Sequence, residues 1–254
     1  MIGYSEESGV ATIRIDRPDA RNALTAAMRH DLVDAFAAAQ AARGVRSVIL
    51  TGSGGHFCAG GDIAEMGGAP ADGLIRVRRS HALIRAISSI DKPVVAAVRG
   101  SCIGIGWSLA LACDLVIAAA DARFRFGFQA LGLAPDGAAS MLLVRQVGLM
   151  RAKELIYTGR FVSGSEAAAL GLALEAIDTD RVDARALEFA ASLASAPTLA
   201  VGMAKRQLDL ASGQTLEAAL ALEAAMQPLM QQTADFAEGV AAMREKRAAR
   251  FTGE

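Results

Sequence analysis

Polar and apolar positions alternate over Val10-Ala-Thr-Ile-Arg-Ile15, the period of a half-buried strand. A loop is expected over Arg17-Pro-Asp-Ala-Arg-Asn22, and the period then lengthens. Residues 24–42 read as a helix with Leu32, Val33 and Phe36 on one face. The segment 46–51 (RSVILT) predicts a second strand, and the glycine-rich stretch 52–61 a loop. That loop closes on Asp62, which suits the N-cap of a short helix. Residues 74–90 are amphipathic, with Leu74, Val77, His81, Leu83, Ile84 and Ile87 near helical spacing.

Pro93 opens a third strand over 94–98. Residues 100–106 read as a small-residue turn into a helix over 107–113, and 115–119 as another apolar strand. After Pro135-Asp136-Gly137, helices are expected at 138–147 and 152–157, a third after Ser163, and a short strand at 172–177. From 181 onward only helices are predicted, interrupted at Pro197, Gly213 and Gln227-Pro228. Strands alternating with helices argue an α/β layer structure for the first three quarters, with a helical appendage after it.

Composition narrows the function. In 254 residues, 26 Lys and Arg face 27 Asp and Glu, a net charge of −1, which argues against a nucleic-acid binder working through a basic field. A 53% apolar content supplies a sizeable core. The segment 101–120 is long enough to raise the membrane question. Gly104, Gly106 and Asp114 interrupt it, so a buried helix followed by a buried strand is expected, and no membrane association. Cys58, Cys102 and Cys113 form no disulfide framework, and with His30, His56 and His81 far apart in sequence no metal site is expected. Unpaired thiols and a polar, acidic start (MIGYSEESG) suit a cytoplasmic protein without a secretion signal.

Three segments offer chemistry. In Thr51 to Ile63, TGSGGHFCAGGDI, a P-loop would need Gly-Lys-Ser/Thr, which is absent, and the bunched glycines fit the dinucleotide fingerprint poorly. What remains is a plain turn, or a backbone that Gly60 and Gly61 let approach a ligand. In Gly100-Ser-Cys-Ile-Gly-Ile-Gly106, a helix start carries unpaired N–H donors at the positive end of its dipole. Two such donors from different loops can make an oxyanion hole, and close packing of a buried helix is the plainer reading. Asp136 in Gly132-Leu-Ala-Pro-Asp-Gly-Ala-Ala-Ser140 is either an N-cap or a carboxylate in an apolar pocket, suited to moving protons.

The segments Arg21-Asn-Ala-Leu24, Val48-Ile-Leu-Thr-Gly52, Phe57-Cys-Ala-Gly-Gly-Asp-Ile63, Lys92-Pro-Val-Val-Ala-Ala-Val98, Gly104-Ile-Gly106 and Ala112-Cys-Asp-Leu115, with 124–148, Glu154-Leu-Ile-Tyr-Thr-Gly159 and Glu166-Ala-Ala-Ala-Leu-Gly171, together resemble the crotonase (enoyl-CoA hydratase/isomerase) superfamily in order and spacing. The resemblance covers nearly the whole chain. It implies an α/β spiral of repeated ββα units over 1–196, with a C-terminal helical oligomerisation region over 197–254 that builds homotrimers or hexamers. It also implies an acyl-CoA thioester substrate, with coenzyme A as part of the substrate and no separate cofactor. By matching motif positions, the amides of Gly61 and Ile105 would form the oxyanion hole. Arg21, Ala23, Ala59, Gly60, Asp62, Ile63 and Gly106 would line the substrate groove.

The chain departs from the hydratase pattern. Hydratases of this family carry two glutamates that hold a water; the first position here is Ser108, and Phe128-Gln-Ala-Leu-Gly-Leu133 offers no carboxylate for the second. Asp136 matches the aspartate of non-hydratase branches, and Phe128 to Gly137 most resembles the phenylacetate-pathway epoxide isomerase and its enoyl-CoA isomerase relatives. The resemblance therefore implies an enoyl-CoA isomerase with Asp136 as acid/base. An enoyl-CoA hydratase, a hydrolase or dehalogenase with Asp136 as nucleophile, and a catalytically silent acyl-CoA binder are the alternatives.

Overall fold

A computed structural model describes all residues 1–254. The first strands, β1 (Ile2–Glu7) and β2 (Val10–Ile15), form an antiparallel hairpin. Its two-residue turn, Ser8-Gly9, sits at positive φ, the geometry whose twist matches the flanking strands. The polar β1 escapes prediction because its face is open: none of its residues is buried.

Three ββα turns of a spiral follow. Each sends its first strand to a large sheet and its second to a small one. The first is β3 (Ser47–Gly52), the segment around Cys58 and helix α2 (Pro70–Ser89). The second is β4 (Val94–Val98), β5 (Ser101–Ile103) and α3 (Ile105–Ala112). The third is β6 (Leu115–Ala119), β7 (Arg123–Arg125) and α4 (Ala139–Thr158). With β8 (Val162–Ser163), α5 (Gly164–Ala169) and β9 (Glu175–Ile177), the large sheet runs β1-β2-β3-β4-β6-β9 and the small one β5-β7-β8. All pairings in the large sheet after the hairpin are parallel. That is why neither β3 nor β4 alternates apolar with exposed polar positions: every residue of both is buried.

Helix α1 (Ala26–Ala41) precedes β3, and α6 (Val182–Ala194) covers the large sheet with Val182, Ala186, Ala190 and Ala194 at four-residue spacing. Ser47 Oγ donates to the Ala190 carbonyl at 2.7 Å. Trp107, Phe124 and Phe126 sit in the core between the turns, with Trp107 stacked on Phe126 at 4.2 Å between centroids. The chain ends in α7 (Thr198–Ala211), α8 (Leu216–Met230) and α9 (Ala234–Glu245). Lys205 of α7 is buried and pairs with Asp114 at 2.9 Å. No single helix is long and apolar enough to cross a membrane.

Several boundaries differ from expectation for physical reasons. Residues 100–106 are not only a turn: Ser101–Ile103 form β5, and α3 starts at Ile105 rather than 107. Leu24 lies outside α1, because it forms a β-bridge to Gly61 and Thr25 caps the helix. On α2, Leu83, Ile84 and Ile87 are buried, whereas Leu74 and His81 are exposed. The strand expected over 172–177 shortens to β9. Gly148, at φ 73° and ψ 167°, marks the break expected within 138–157. Pro228 does not end α8; it falls near the helix's C-terminal end, where only the last turn has to adapt.

Candidate active site

Three loops converge on one cavity of about 540 Å³. Its wall includes Arg29 of α1, Ala59, Gly60, Gly61, Ile63 and Met66 after β3, Ile103 to Ile105, and Phe128, Ala130, Leu131, Leu133, Ala134 and Asp136 ahead of α4.

The loop after β3 is held from two sides. Asn22, fully buried with φ +62°, donates through Nδ2 to the carbonyls of Ser53 (2.9 Å) and His56 (2.6 Å), while its Oδ1 accepts from Arg17 N–H. Asparagine tolerates this left-handed conformation better than most residues. On the other side, Cys58 N–H donates to Ser101 O and Ile103 N–H to Cys58 O, both at 2.9 Å. A Cβ on Gly106 would collide with Cys58 O, and one on Gly60 would come to 3.1 Å from Ile103 O. These glycines let the two loops lie side by side.

Two peptide donors are thereby left free. Leu24 N–H bonds to Gly60 O and Asp62 N–H to Leu24 O, so the bridge uses the neighbours of Gly61, whose own N–H has no acceptor in the chain. Ile105 is the first residue of α3, and the first bonds of that helix, from Trp107 and Ser108 to Gly104 O, begin beyond it. Both residues line the cavity.

Asp136 faces the same space. It is not the N-cap of α4: that position is Ala138, at φ +60°, with no side-chain cap bond. Instead Asp136 Oδ1 is buried without a hydrogen-bond partner. Burial pushes its carboxyl above the ordinary value, and the charges of Arg29 and then His81 pull it partly back. Its backbone is fixed from below, since Ser108 Oγ donates to Asp136 O at 3.2 Å. At Gly137, φ +60°, a Cβ would strike Ile105 Cδ1. Ser108 thus braces the loop with a short hydroxyl.

The remaining expected residues divide. Ala59, Gly60 and Ile63 line the cavity with Gly61, Ile105 and Asp136; Arg21, Ala23, Asp62 and Gly106 do not. Arg21 is an exposed left-handed residue whose carbonyl accepts from Ala59 N–H at 2.9 Å. Ala23 O accepts from Arg17. Asp62 pairs with Arg17 at 2.6 Å and accepts from Ala64 N–H as the predicted cap. His56 Nδ1 accepts from Ser101 N–H at 3.1 Å, and burial followed by the Arg21 charge holds its pKa down.

One residue escaped the sequence reading. Arg29 is 4% exposed, lies on the buried face of α1 and lines the cavity. The signal for it was present: it stands three before Leu32 and seven before Phe36, a charge on an apolar stripe.

The enoyl-CoA hydratase/isomerase family profile matches residues 5–254. The chain is 42% identical to a probable enoyl-CoA hydratase of Rhodobacter capsulatus, over 99% of this chain and 98% of that one. It is 35% identical to 1,2-epoxyphenylacetyl-CoA isomerase of Escherichia coli, over 98% and 97%. Among solved structures it is similar to an enoyl-CoA hydratase from Bacillus anthracis, with a TM-score of 0.95 and 31% identity over 100% of this chain and 99% of that one. A free pair of peptide donors facing a buried carboxylate, on a ββα spiral matched from end to end, belongs to an enzyme of the enoyl-CoA hydratase/isomerase family.

Proposed function

We propose that this enzyme moves the double bond of a 3-enoyl-CoA into conjugation with the thioester, with Asp136 as the acid/base. The observation that carries the reading is that Asp136 is the sole carboxylate on the cavity wall. Adding water across a double bond calls for groups that hold and activate that water, and Ser108 with Phe128 to Leu133 supplies no carboxylate for the task. Moving one proton between two carbons calls for a single base.

In this mechanism the Gly61 and Ile105 amides bind the thioester oxygen and polarise the carbonyl. Asp136 takes a proton from C2, and the C–H electron pair delocalises through the carbonyl as a dienolate. The oxygen charge of that dienolate rests on the two amides. The same carboxyl returns the proton to C4, the double bond becomes C2–C3, and the enzyme ends as it began. No cofactor beyond the coenzyme A of the substrate takes part.

The experiment offers the enzyme 3-enoyl-CoA and, separately, crotonyl-CoA. The isomerase reading expects conjugated absorbance to grow with 3-enoyl-CoA and crotonyl-CoA to persist. A hydratase, which the name of the Rhodobacter capsulatus relative favours, would consume crotonyl-CoA with the mass of one water gained. Tight acyl-CoA binding without turnover of either would mark a silent binder.

We further read 197–254 as the surface through which copies assemble into a homotrimer or a hexamer. Helix α8 supports this: none of its residues is buried, although Leu216, Leu220 and Leu229 are apolar and exposed. Light scattering on the purified chain tests it. The three free, buried cysteines support a cytoplasmic setting.

A further inference from the structure

Arg29 is the most conspicuous unused group in the molecule. Its guanidinium is sunk beside Gly61: a Cβ built on Gly61 would meet Nη2 at 2.8 Å. Nε and Nη1 are buried with no hydrogen-bond partner, an unusual state for a charged donor in a protein interior. The chain offers nothing to satisfy it. Asp136 Oδ1 is likewise unpaired, and the nearby Glu65 is exposed with its carboxylate accepting from Ala26 N–H at 2.7 Å.

The lining as a whole is cationic. Arg29, Arg76 and Arg125 stand against Asp136 alone. Arg76 donates to Glu65 O and Arg125 to Gly159 O, so the unengaged cation is the buried one. The rest of the wall, with Ile63, Met66, Val77, Phe128, Leu131 and Leu133, suits hydrocarbon. A wholly apolar acyl chain would leave Arg29 desolvated and unpaired, which is costly.

We propose that Arg29 is a substrate-binding residue that pairs with a carboxylate on the acyl group, so that the preferred substrates are half-thioesters of dicarboxylic acids with coenzyme A. Because the guanidinium lies beside Gly61, the acid is a short one, with the carboxylate a few carbons from the thioester. The proposal rests on reading this cavity as the acyl end of the thioester site, and it names the substrate class of that site.

The test measures binding, so it is independent of which reaction Asp136 performs. Calorimetry compares malonyl-, succinyl-, glutaryl- and adipyl-CoA with the neutral acyl-CoA of equal carbon number, and 3-hydroxybutyryl-CoA with butyryl-CoA. A charge-assisted pair predicts at least ~10-fold tighter binding of the carboxylate at one or more lengths. Arg29→Met is expected to bring that ratio to about one or below, and Asp136→Asn to keep or raise it. Equal affinities at every length in the wild-type enzyme overturn the proposal without needing any variant. So does a preference that survives Arg29→Met, or a gain confined to the neutral hydroxyl. Absence of isomerase activity in the wild-type enzyme, with the preference present, would instead sink the isomerase reading and leave this one standing.

Discussion

Arg29 and Asp136 face one cavity without touching: the guanidinium Nε and Nη1 and the carboxylate Oδ1 are all buried and all lack a hydrogen-bond partner. Each tempers the other's burial, since the Arg29 charge pulls the Asp136 carboxyl down and Asp136 pulls the Arg29 guanidinium up. Burial outweighs both attractions. The site therefore holds a base and a cation apart, with room for a ligand between them.

The sign of the Asp136 shift fixes a pH dependence. Its carboxyl holds a proton more tightly folded than unfolded, so its contribution to stability is greatest below the unfolded pKa, near ~3.9, and is lost as pH rises through the higher folded value. Asp136→Asn, permanently neutral, is expected to raise Tm at pH 7 and to leave it unchanged in acid. Thermal melts across pH check this, and a lower Tm at pH 7 would contradict it. Turnover needs the ionised form, so the acid limb of kcat/KM should fall with an apparent pKa above that of an ordinary aspartate.

Gly61 separates the peptide donor from the side-chain space. Gly61→Ala adds a Cβ against Arg29 Nη2 and Met66 Cε, both flexible ends, and keeps the N–H. Gly61→Pro adds the same Cβ, closes a ring onto the nitrogen and deletes the donor. We expect kcat of the proline variant to fall about 100- to 1000-fold relative to the alanine one, with a smaller change in KM. Equal kcat values would remove this amide from the mechanism.

Asn22 ties the donor loop down. Asn22→Ala removes four hydrogen bonds, the weakest of them from Ser53 Oγ at 3.5 Å, and places alanine at φ +62°. A loss of about 2 kcal/mol or more is expected in denaturant melts. Faster amide exchange over 52–61 should accompany it. Unchanged exchange there would show that other contacts hold the loop.

Lys205 joins α7 to the core through Asp114, which also accepts from Val94 N–H at 2.7 Å. Lys205→Met leaves the partly exposed Asp114 carboxylate with the Val94 N–H alone and should cost about 1 to 3 kcal/mol. Adding Asp114→Asn should recover most of that loss; no recovery would place the lysine's role in its packing instead.

The periodic elements were legible because one face of each is buried: β2 alternates, β3 and β4 are continuous, and α6 repeats every four residues. The small sheet was not. β5 and β7 are three residues each and β8 two, too short for a period, and only the stacking of spiral turns brings them together. At the site, glycines and Asp136 could be singled out from the chain, but two roles stayed open at Asp136 until the cap was found at Ala138. Arg29 was hidden for the opposite reason. It is a charge inside an apolar pattern, and only the cavity gives it a purpose.

Steady-state isomerisation of a 3-enoyl-CoA by wild type and by Asp136→Asn, read as growth of conjugated absorbance, tests the central claim most directly. The account predicts about 100- to 10,000-fold slower turnover in the variant, with affinity for a non-reacting acyl-CoA retained. Turnover in Asp136→Asn equal to that of the wild type would contradict it.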